Sequence, residues 1–222
     1  MSNDDVAKRV AARYPTRFLR SYVQAKVRTD PVYGATLEVL RDTSLPILDL
    51  GCGAGVLSFF LREQGLTVPI EGIDHDRRKV VIAQEMIRTG ERLSFREGDV
   101  RGSLHFSGNV VLLDVLHYFM RGEQDQILLA AAGATAPGGA VILRDAIRDG
   151  SWRFRATWAG EVFARGTRWL RAERLEFPTR ESIGAMFPEG EFTREVRPLW
   201  GHTPFNNYLF VFRRSSAGMT NE

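Results

Sequence analysis

The chain has 222 residues and a formal net charge of +3, and 44% of its residues are hydrophobic and 26% charged. No apolar stretch reaches membrane-spanning length, and a single cysteine excludes an internal disulfide or a cysteine metal cluster. The polar, acidic N-terminus has no signal-peptide pattern, so we expect a cytoplasmic protein whose length suits one α/β domain with elaborations.

The first 45 residues are predicted to be helical. Apolar side chains recur there at the spacing of one helix face. Asp30-Pro31 predicts the end of the first helix, because the residue before a proline disfavours helical geometry. The apolar stripe consists of Phe18, Leu19, Tyr22, Val23 and Val27. We interpret it mainly as a packing surface, since such stripes more often pack than bind a ligand.

The most informative segment runs from residue 47 to residue 62. An apolar run at 47–50 predicts a buried parallel strand, glycines at 51, 53 and 55 predict a turn, and a helix is predicted over 56–62. Glycines let a ligand approach the backbone, and the helix N-terminus presents free N–H groups. The spacing Gly-x-Gly-x-Gly differs from the dinucleotide-binding Gly-x-Gly-x-x-Gly, and Asp49 precedes the turn. The segment predicts a cradle for a nucleotide-type cofactor.

Three later segments are predicted to be strands that also end near an acid. Residues 67–74 end at Asp74, and a carboxylate there can accept hydrogen bonds from both hydroxyls of a ribose. Asp76 is a good N-cap for a helix from about 77 to 88. The other two pairs of strand and acid are 93–97 with Asp99 and 110–114 with Asp114. Each acid alone would more often cap a helix or a turn, but their repeated position favours a functional role.

The sequence Asp-Leu-Gly-Cys-Gly-Ala-Gly at 49–55 resembles the first motif of the class I S-adenosylmethionine (SAM)-dependent methyltransferases, and the later strand-end acids follow in that family's order. The resemblance covers roughly residues 46–145. It implies an α/β fold with a Rossmann-like, seven-stranded, mostly parallel sheet, an antiparallel closing hairpin and helices on both faces. Residues 1–45 are then predicted to form an N-terminal helical lid over a core at 46–213, followed by a flexible tail at 214–222.

The resemblance also implies how SAM is held. In the family the glycine turn passes under the cofactor, and acids at the positions of Asp49, Asp74 and Asp99 hold its methionine, ribose and adenine parts. The predicted cofactor-binding residues are Asp49, Gly51, Cys52, Gly53, Gly55, Asp74, His75, Asp99, Val100 and Asp114, with Tyr22 from the lid. We interpret Cys52 as a small buried side chain rather than a nucleophile.

The catalytic prediction centres on His117, which follows the fourth strand beside the expected position of the transferred methyl group. SAM carries that methyl group on a sulfonium, so the reaction is an in-line displacement, and a phenol or carbon nucleophile benefits from a base. His117 is predicted to be that base or to orient the acceptor, with His202 in reserve. A hydrogen-bonded structural histidine is the alternative. No metal site is predicted, because Ala146 follows Asp145 where metal-dependent relatives have an Asp-Asn pair.

The C-terminal third is predicted to shape the acceptor side of the site. Its elements are a fifth strand at 140–144, a helical insertion at about 146–176, a helix from Thr179 to about Met186, and closing strands at roughly 192–197 and 208–213. The predicted substrate-contacting residues are Tyr118, Arg148, Trp200, Phe205 and Asn206. A packed hairpin that binds no ligand is the alternative.

Arginines crowd the insertion and its flanks. They are Arg144, Arg148, Arg153, Arg155, Arg165, Arg168, Arg171 and Arg174. Either a solvated helix face or a site for an anionic partner explains them. A nucleic-acid substrate is not expected, because the fourth strand is not followed by an Asn/Asp-Pro-Pro-aromatic signature and no RNA-binding module is recognisable.

The segments around His117 and Trp200 resemble methyltransferases found beside bacterial polyketide and aryl-polyene assembly genes. This resemblance implies secondary metabolism and an aromatic or acyl small-molecule acceptor, either free or held on an acyl carrier protein. Three other interpretations stay open: an NAD-dependent oxidoreductase with the same fold, a non-catalytic SAM-binding scaffold, and a methyltransferase that acts on a macromolecule. The oligomeric state is not predicted.

Overall fold

The computed structural model describes residues 3–166, 175–201 and 203–216. Its centre is one seven-stranded sheet. The strands are β1 (Ile47–Leu50), β2 (Ile70–Asp74), β3 (Leu93–Glu97), β4 (Asn109–Leu113), β5 (Ala140–Ala146), β6 (Phe192–Pro198) and β7 (Asn207–Arg214). Their order is β3-β2-β1-β4-β5-β7-β6; the first five run parallel, and β7 is antiparallel to both β5 and β6. This arrangement confirms the predicted Rossmann-like sheet with its closing hairpin.

Helices cover both faces of the sheet, as predicted. They are α1 (Asn3–Ala12), α2 (Arg17–Thr29), α3 (Val32–Leu40), α4 (Val56–Glu63), α5 (Arg77–Glu85), α6 (Arg121–Ala134), α7 (Trp152–Gly166) and α8 (Arg180–Gly184). Alternate residues of β4 serve two separate cores, since Val111 packs with α1–α5 while Val110 and Leu112 pack with α6 and α8. Among the described residues, no helix is both long and apolar enough to cross a membrane.

The N-terminal segment forms three helices, and the first break comes earlier than predicted. Thr16 caps α2 by accepting a hydrogen bond from the backbone N–H of Leu19, and α2 then ends at the predicted Asp30. The apolar stripe of α2 is only partly a packing surface. Val23 and Val27 are buried, whereas Tyr22 is 45% exposed. The lid function of residues 1–45 stays a prediction.

Two strand ends differ from the prediction at the candidate site. β5 continues two residues further, to Ala146, because Asp145 and Ala146 pair with the antiparallel strand β7. β4 ends one residue earlier, so that Asp114 lies beyond the strand with φ +60°. Helix α5 ends at Glu85, earlier than the predicted residue 88. Strand β2 begins at Ile70, later than the predicted residue 67, because Pro69 has no N–H for a sheet hydrogen bond.

Candidate cofactor and acceptor site

The predicted cofactor residues meet at one edge of the sheet. β1 lies between β2 and β4, all parallel, so the residues that follow these strands converge. The backbone N–H groups of Gly51 and Cys52 donate to the carbonyl oxygen of Ile73 at 2.8 and 3.1 Å. The glycine turn is thereby fixed against the end of β2.

The glycines of the turn have different surroundings although all three have positive φ. A Cβ atom on Gly51 would collide with Val115, and one on Gly55 would lie 2.8 Å from the ring of Phe95. A Cβ on Gly53 would meet only Cδ of Lys79, at 4.0 Å. Gly51 and Gly55 are therefore required by packing beneath the turn, whereas Gly53 exposes bare backbone that a ligand could approach.

Asp74 closes the cradle from the end of β2. Its Oδ2 accepts a hydrogen bond from the Gly53 N–H and its Oδ1 accepts one from the Asp76 N–H, both at 2.8 Å. The carboxylate is nearly buried, but each oxygen can accept a further hydrogen bond. His75 is exposed beside it, with Nδ1 3.5 Å from Oδ1 of Asp74.

Asp99 and Val100 follow β3 on the same edge. The Asp99 carboxylate is about half exposed and pairs with Arg101 at 2.5 Å, which lowers the pKa of Asp99. Val100 is buried in the core. An adenine ring that contacts Asp99 would therefore compete with Arg101 for the carboxylate.

Asp49 is the most unusual acid of the group. It is 3% exposed, and its Oδ2 has no hydrogen-bond partner among the described residues. Burial raises the pKa of Asp49 to about 7, and the charge of Asp74 adds to the effect. A buried carboxylate oxygen without a partner suits a cationic ligand group.

The carboxylate of Asp114 is held in an ion pair with Arg144. Arg144 donates to both carboxylate oxygens of Asp114, with Nε 2.8 Å from Oδ1, and Nη1 of Arg144 lies 2.5 Å from Oδ1 of Asp30. Asp114 is thus part of an ion triad between the end of β4, β5 and the end of α2. The triad could not be predicted from the sequence, because Asp30 lies 114 residues away from Arg144.

His117 lies in a short 3-10 helix (Leu116–Tyr118) and pairs with Asp145. Nδ1 of His117 is 2.6 Å from Oδ1 of Asp145, and Oδ2 of Asp145 accepts the Leu116 N–H at 2.8 Å. Both side chains are buried. The imidazole stacks on Phe177, with 5.5 Å between ring centroids, and meets Tyr118 at 4.1 Å. The pairing was not predicted, because the sequence presents Asp145 only as a candidate metal ligand.

The predicted substrate residues have unequal exposure. Phe205 is 39% exposed, Trp200 and Tyr118 are half-buried, and Arg148 is exposed. Asn206 is buried and donates from Nδ2 to the Ile147 carbonyl at 2.7 Å, so its side chain braces the loop before β7. His202, the reserve base, lies outside the described residues, as do residues 167–174 of the insertion.

Trp200 has a cation on its face. The guanidinium of Arg153 in α7 lies 4.2 Å from the Trp200 ring centroid and donates to the Thr203 carbonyl at 2.9 Å. Tyr208 stands edge-on to Trp200 at 6.1 Å and carries the guanidinium of Arg180 on its own ring. The described part of the predicted acceptor side is therefore aromatic and cationic.

Comparisons with known proteins agree with this geometry. A family model described as a methyltransferase domain matches residues 47–139, which include the glycine turn and all four strand-end acids. No curated protein matches the sequence.

Several solved structures share the fold. Magnesium protoporphyrin IX methyltransferase from Synechocystis PCC 6803, solved with bound S-adenosylhomocysteine (SAH), is 19% identical with a TM-score of 0.64; 95% of this chain and 94% of that chain are covered. The pyocyanin biosynthetic protein PhzM is 18% identical (93% and 61% covered, TM-score 0.63). Mitomycin 7-O-methyltransferase MmcR is 14% identical (90% and 57% covered, TM-score 0.65). At these identities the likeness establishes the fold.

Proposed function

We propose that this protein transfers a methyl group from SAM to a small acceptor molecule. The observation that carries the proposal is the open backbone at Gly53 between two buried acids, Asp49 and Asp74. The methyltransferase-domain match spans these three residues, and the similar Synechocystis enzyme was solved with SAM as well as with SAH.

The residues present fit SAM. Gly53 leaves room for close approach of the cofactor to the turn, and the remaining acceptor capacity of Asp74 suits a ribose diol. Asp49 offers a carboxylate oxygen without a partner among the described residues to the amino group of the methionine part. The proposed cofactor site is completed by Tyr22, Gly51, Cys52, Gly55, His75, Asp99, Val100 and Asp114. When bound, SAM supplies an electrophilic methyl group on a sulfonium.

In this proposal the chain mainly aligns the acceptor and excludes water, which can supply most of the rate acceleration. His117 accepts the proton that the acceptor nucleophile loses. Asp145 accepts a hydrogen bond from Nδ1–H of His117 and so favours the tautomer whose Nε2 is the base. This pairing supports the catalytic role of His117.

The acceptor is proposed to be aromatic or acyl. Support comes from Tyr118 and Phe177 around His117, and from Trp200 and Arg153 on the neighbouring surface. A guanidinium beside aromatic rings suits a flat acceptor with a carboxylate or phosphate group. Of two similar proteins, one is named as a pyocyanin biosynthetic protein and the other as a mitomycin 7-O-methyltransferase. The finer parts of the proposal are a role in secondary metabolism of the polyketide or aryl-polyene kind and an acyl carrier protein that holds the acceptor.

Methyl transfer is tested by incubating the purified protein with methyl-labelled SAM and a panel of phenols, aryl carboxylic acids and carrier-bound aryl thioesters. Mass spectrometry then measures label in each acceptor. The proposal predicts label in at least one small acceptor and its loss in Asp74→Asn. Label only in protein or nucleic acid would support the macromolecular alternative. SAM binding without transfer to any acceptor would support the scaffold alternative.

A further inference from the structure

The β4 loop (residues 114–118) begins at a residue with an unusual backbone conformation. Asp114 has φ +60°, and among the described residues Arg92 is the only other non-glycine residue with positive φ. A left-handed conformation at a residue with a Cβ atom is unfavourable, and it persists only where neighbouring contacts hold it. The same loop carries His117, the proposed base, so whatever holds Asp114 also acts on the course of this loop.

Arg144 on β5 holds Asp114 by its backbone and by its side chain. The carbonyl oxygen of Arg144 accepts the N–H of Asp114 at 2.8 Å. Its guanidinium donates to both carboxylate oxygens of Asp114, with Nε 2.8 Å from Oδ1. A planar guanidinium that donates to both oxygens of a carboxylate fixes the orientation of that carboxylate as well as balancing its charge. Arg144 therefore restrains the strained residue at two points.

Asp30 at the end of α2 holds the other side of the guanidinium. Nη1 of Arg144 lies 2.5 Å from Oδ1 of Asp30, and the same oxygen accepts the Val32 N–H at 3.0 Å. Arg144 is 4% exposed. Its charge is thus largely removed from water and is balanced by two fixed carboxylates, which makes the guanidinium a rigid support for the β4 loop.

Two adjacent residues of β5 hold the β4 loop from opposite faces of the sheet. Successive side chains of a strand point to opposite faces. The Arg144 side chain binds Asp114 at the start of the loop, whereas Oδ1 of Asp145 lies 2.6 Å from Nδ1 of His117. The Asp145 contact orients the imidazole, and the Arg144 contact fixes the point from which the loop starts.

We infer that Arg144 is a positioning residue for the proposed base. It fixes the left-handed conformation of Asp114 and thereby places His117 for proton removal from the acceptor. The inference rests on the proposed function, because it concerns the base of methyl transfer. Arg144 acts without touching the acceptor, and displacement of a catalytic group by about 1 Å can lower a rate roughly 100-fold.

Arg144→Lys tests the inference, because lysine keeps the charge but cannot form the same fork of hydrogen bonds. Arg13→Lys is the matched control, since Arg13 is similarly buried and also pairs with two carboxylates, Glu63 and Glu91, neither of which lies in the β4 loop. We expect Arg144→Lys to lower kcat roughly 10- to 100-fold and Arg13→Lys to keep kcat within about twofold of wild type. SAH affinity should fall by a much smaller factor than kcat in Arg144→Lys, because a positive charge remains beside Asp114.

Two further measurements distinguish placement of the base from a general loss of structure. The ionisation of the base should remain visible in the pH profile of kcat for Arg144→Lys, because the pair of His117 and Asp145 is intact. The imidazole of His117 lies between the rings of Tyr118 and Phe177, so a small movement changes its nuclear magnetic resonance signals through their ring currents. These signals, assigned with His117→Gln among the four histidines of the chain, should shift in Arg144→Lys and stay in place in Arg13→Lys.

Asp30→Asn provides a milder second variant if Arg144→Lys does not fold. The asparagine oxygen can still accept the Val32 N–H, while the charge that holds the guanidinium is removed. We expect Asp30→Asn to shift the His117 signals and to lower kcat by a smaller factor than Arg144→Lys, roughly two- to tenfold.

The outcomes separate this inference from the proposed function. Wild-type kcat or unshifted His117 signals in a folded Arg144→Lys variant, or in Asp30→Asn where only that variant folds, would overturn the inference. An SAH affinity that falls as far as kcat would also overturn it, because that result indicates a role for Arg144 in the cofactor site. A raised KM for the acceptor with unchanged kcat would assign Arg144 to acceptor binding instead. Absence of methyl transfer by the wild-type protein would overturn the proposed function, and the His117 signals alone would then decide whether Arg144 places the ring.

Discussion

Nδ1 of His117 and Oδ1 of Asp145 lie 2.6 Å apart in the buried layer between β5 and the loop after β4. The same carboxylate accepts the backbone N–H of Leu116 and so fixes the loop as well as the ring. Because the carboxylate pairs with Nδ1, it favours the tautomer that carries its proton there, and Nε2 is the nitrogen that the proposed mechanism uses as the base.

Asp145→Asn is expected to lower kcat by roughly 10²- to 10⁴-fold while SAH affinity changes little. An amide can hold the ring but favours the wrong tautomer. The part of the pH profile of kcat that reports ionisation of the catalytic base should also disappear. His117→Gln should have a similar effect, and the double variant should be no slower than the slower single one, since the two residues act as a unit. An unchanged pH profile and kcat in Asp145→Asn would show that the pair is structural only.

The pKa of Asp49 predicts a pH-dependent stability. The folded-state pKa is about 7, above the ordinary value of 3.8, so the folded protein keeps a proton that the unfolded chain releases. Stability is therefore undiminished below about pH 4, falls as the pH rises towards 7, and stays low above it. Asp49→Asn removes this loss. Without ligand, its free energy of unfolding should exceed that of wild type by on the order of 4 kcal/mol at pH 8 and by little at pH 4.

Urea unfolding of the two proteins at both pH values measures the difference. Equal free energies of unfolding for wild type and Asp49→Asn at pH 8 would contradict a buried Asp49 with a raised pKa.

Two glycines of the turn should respond differently to alanine. Gly51 and Gly53 both have positive φ, so alanine at either position should cost about 1–2 kcal/mol of backbone strain. Gly51→Ala adds a collision with Val115 and should lose a further 1–3 kcal/mol, whereas Gly53→Ala meets open space. Gly53→Ala should therefore fold, yet bind SAH at least roughly tenfold more weakly because its methyl group enters the cofactor cradle. Thermal unfolding and SAH titration measure both effects, and wild-type SAH affinity in Gly53→Ala would contradict the proposed approach of the cofactor.

Arg13 is expected to anchor α1 to the core. Its guanidinium is 2% exposed and pairs with Glu63 at 2.7 Å and Glu91 at 2.5 Å. Arg13→Met leaves both acids without this partner and should cost about 3 kcal/mol of unfolding free energy. The exposed pair of Arg121 with Asp125 provides the control, since Arg121→Met should cost less than about 0.5 kcal/mol. Equal losses in chemical denaturation would argue against a buried anchor.

The sequence predicted the parts of the site that depend on local signals. The glycine turn, the acid at the end of each strand, and the N-caps Asp76 and Thr179 are each defined within a few residues. The seven-stranded, mostly parallel sheet with its antiparallel closing hairpin followed from the family resemblance and is confirmed.

Contacts between distant segments could not be predicted. Asp145 pairs with His117 only because β5 lies beside β4 and extends beyond its predicted end. Arg144 looked like one member of an arginine-rich segment, but it is a buried partner of Asp30 and Asp114. Side-chain pairing across the fold depends on tertiary placement, which the spacing of residues in one sequence does not contain.

Calorimetric titration of the wild-type protein with SAM, and with NAD and NADP as controls, tests the central claim most directly. We predict one SAM site with a dissociation constant on the order of 1–100 µM, no measurable binding of either dinucleotide, and a clear loss of SAM affinity in Asp74→Asn. Folding of the variant is checked by circular dichroism, because Asp74 also accepts the Gly53 N–H. Absent SAM binding, or SAM binding that a folded Asp74→Asn variant retains in full, would contradict the proposed cofactor site.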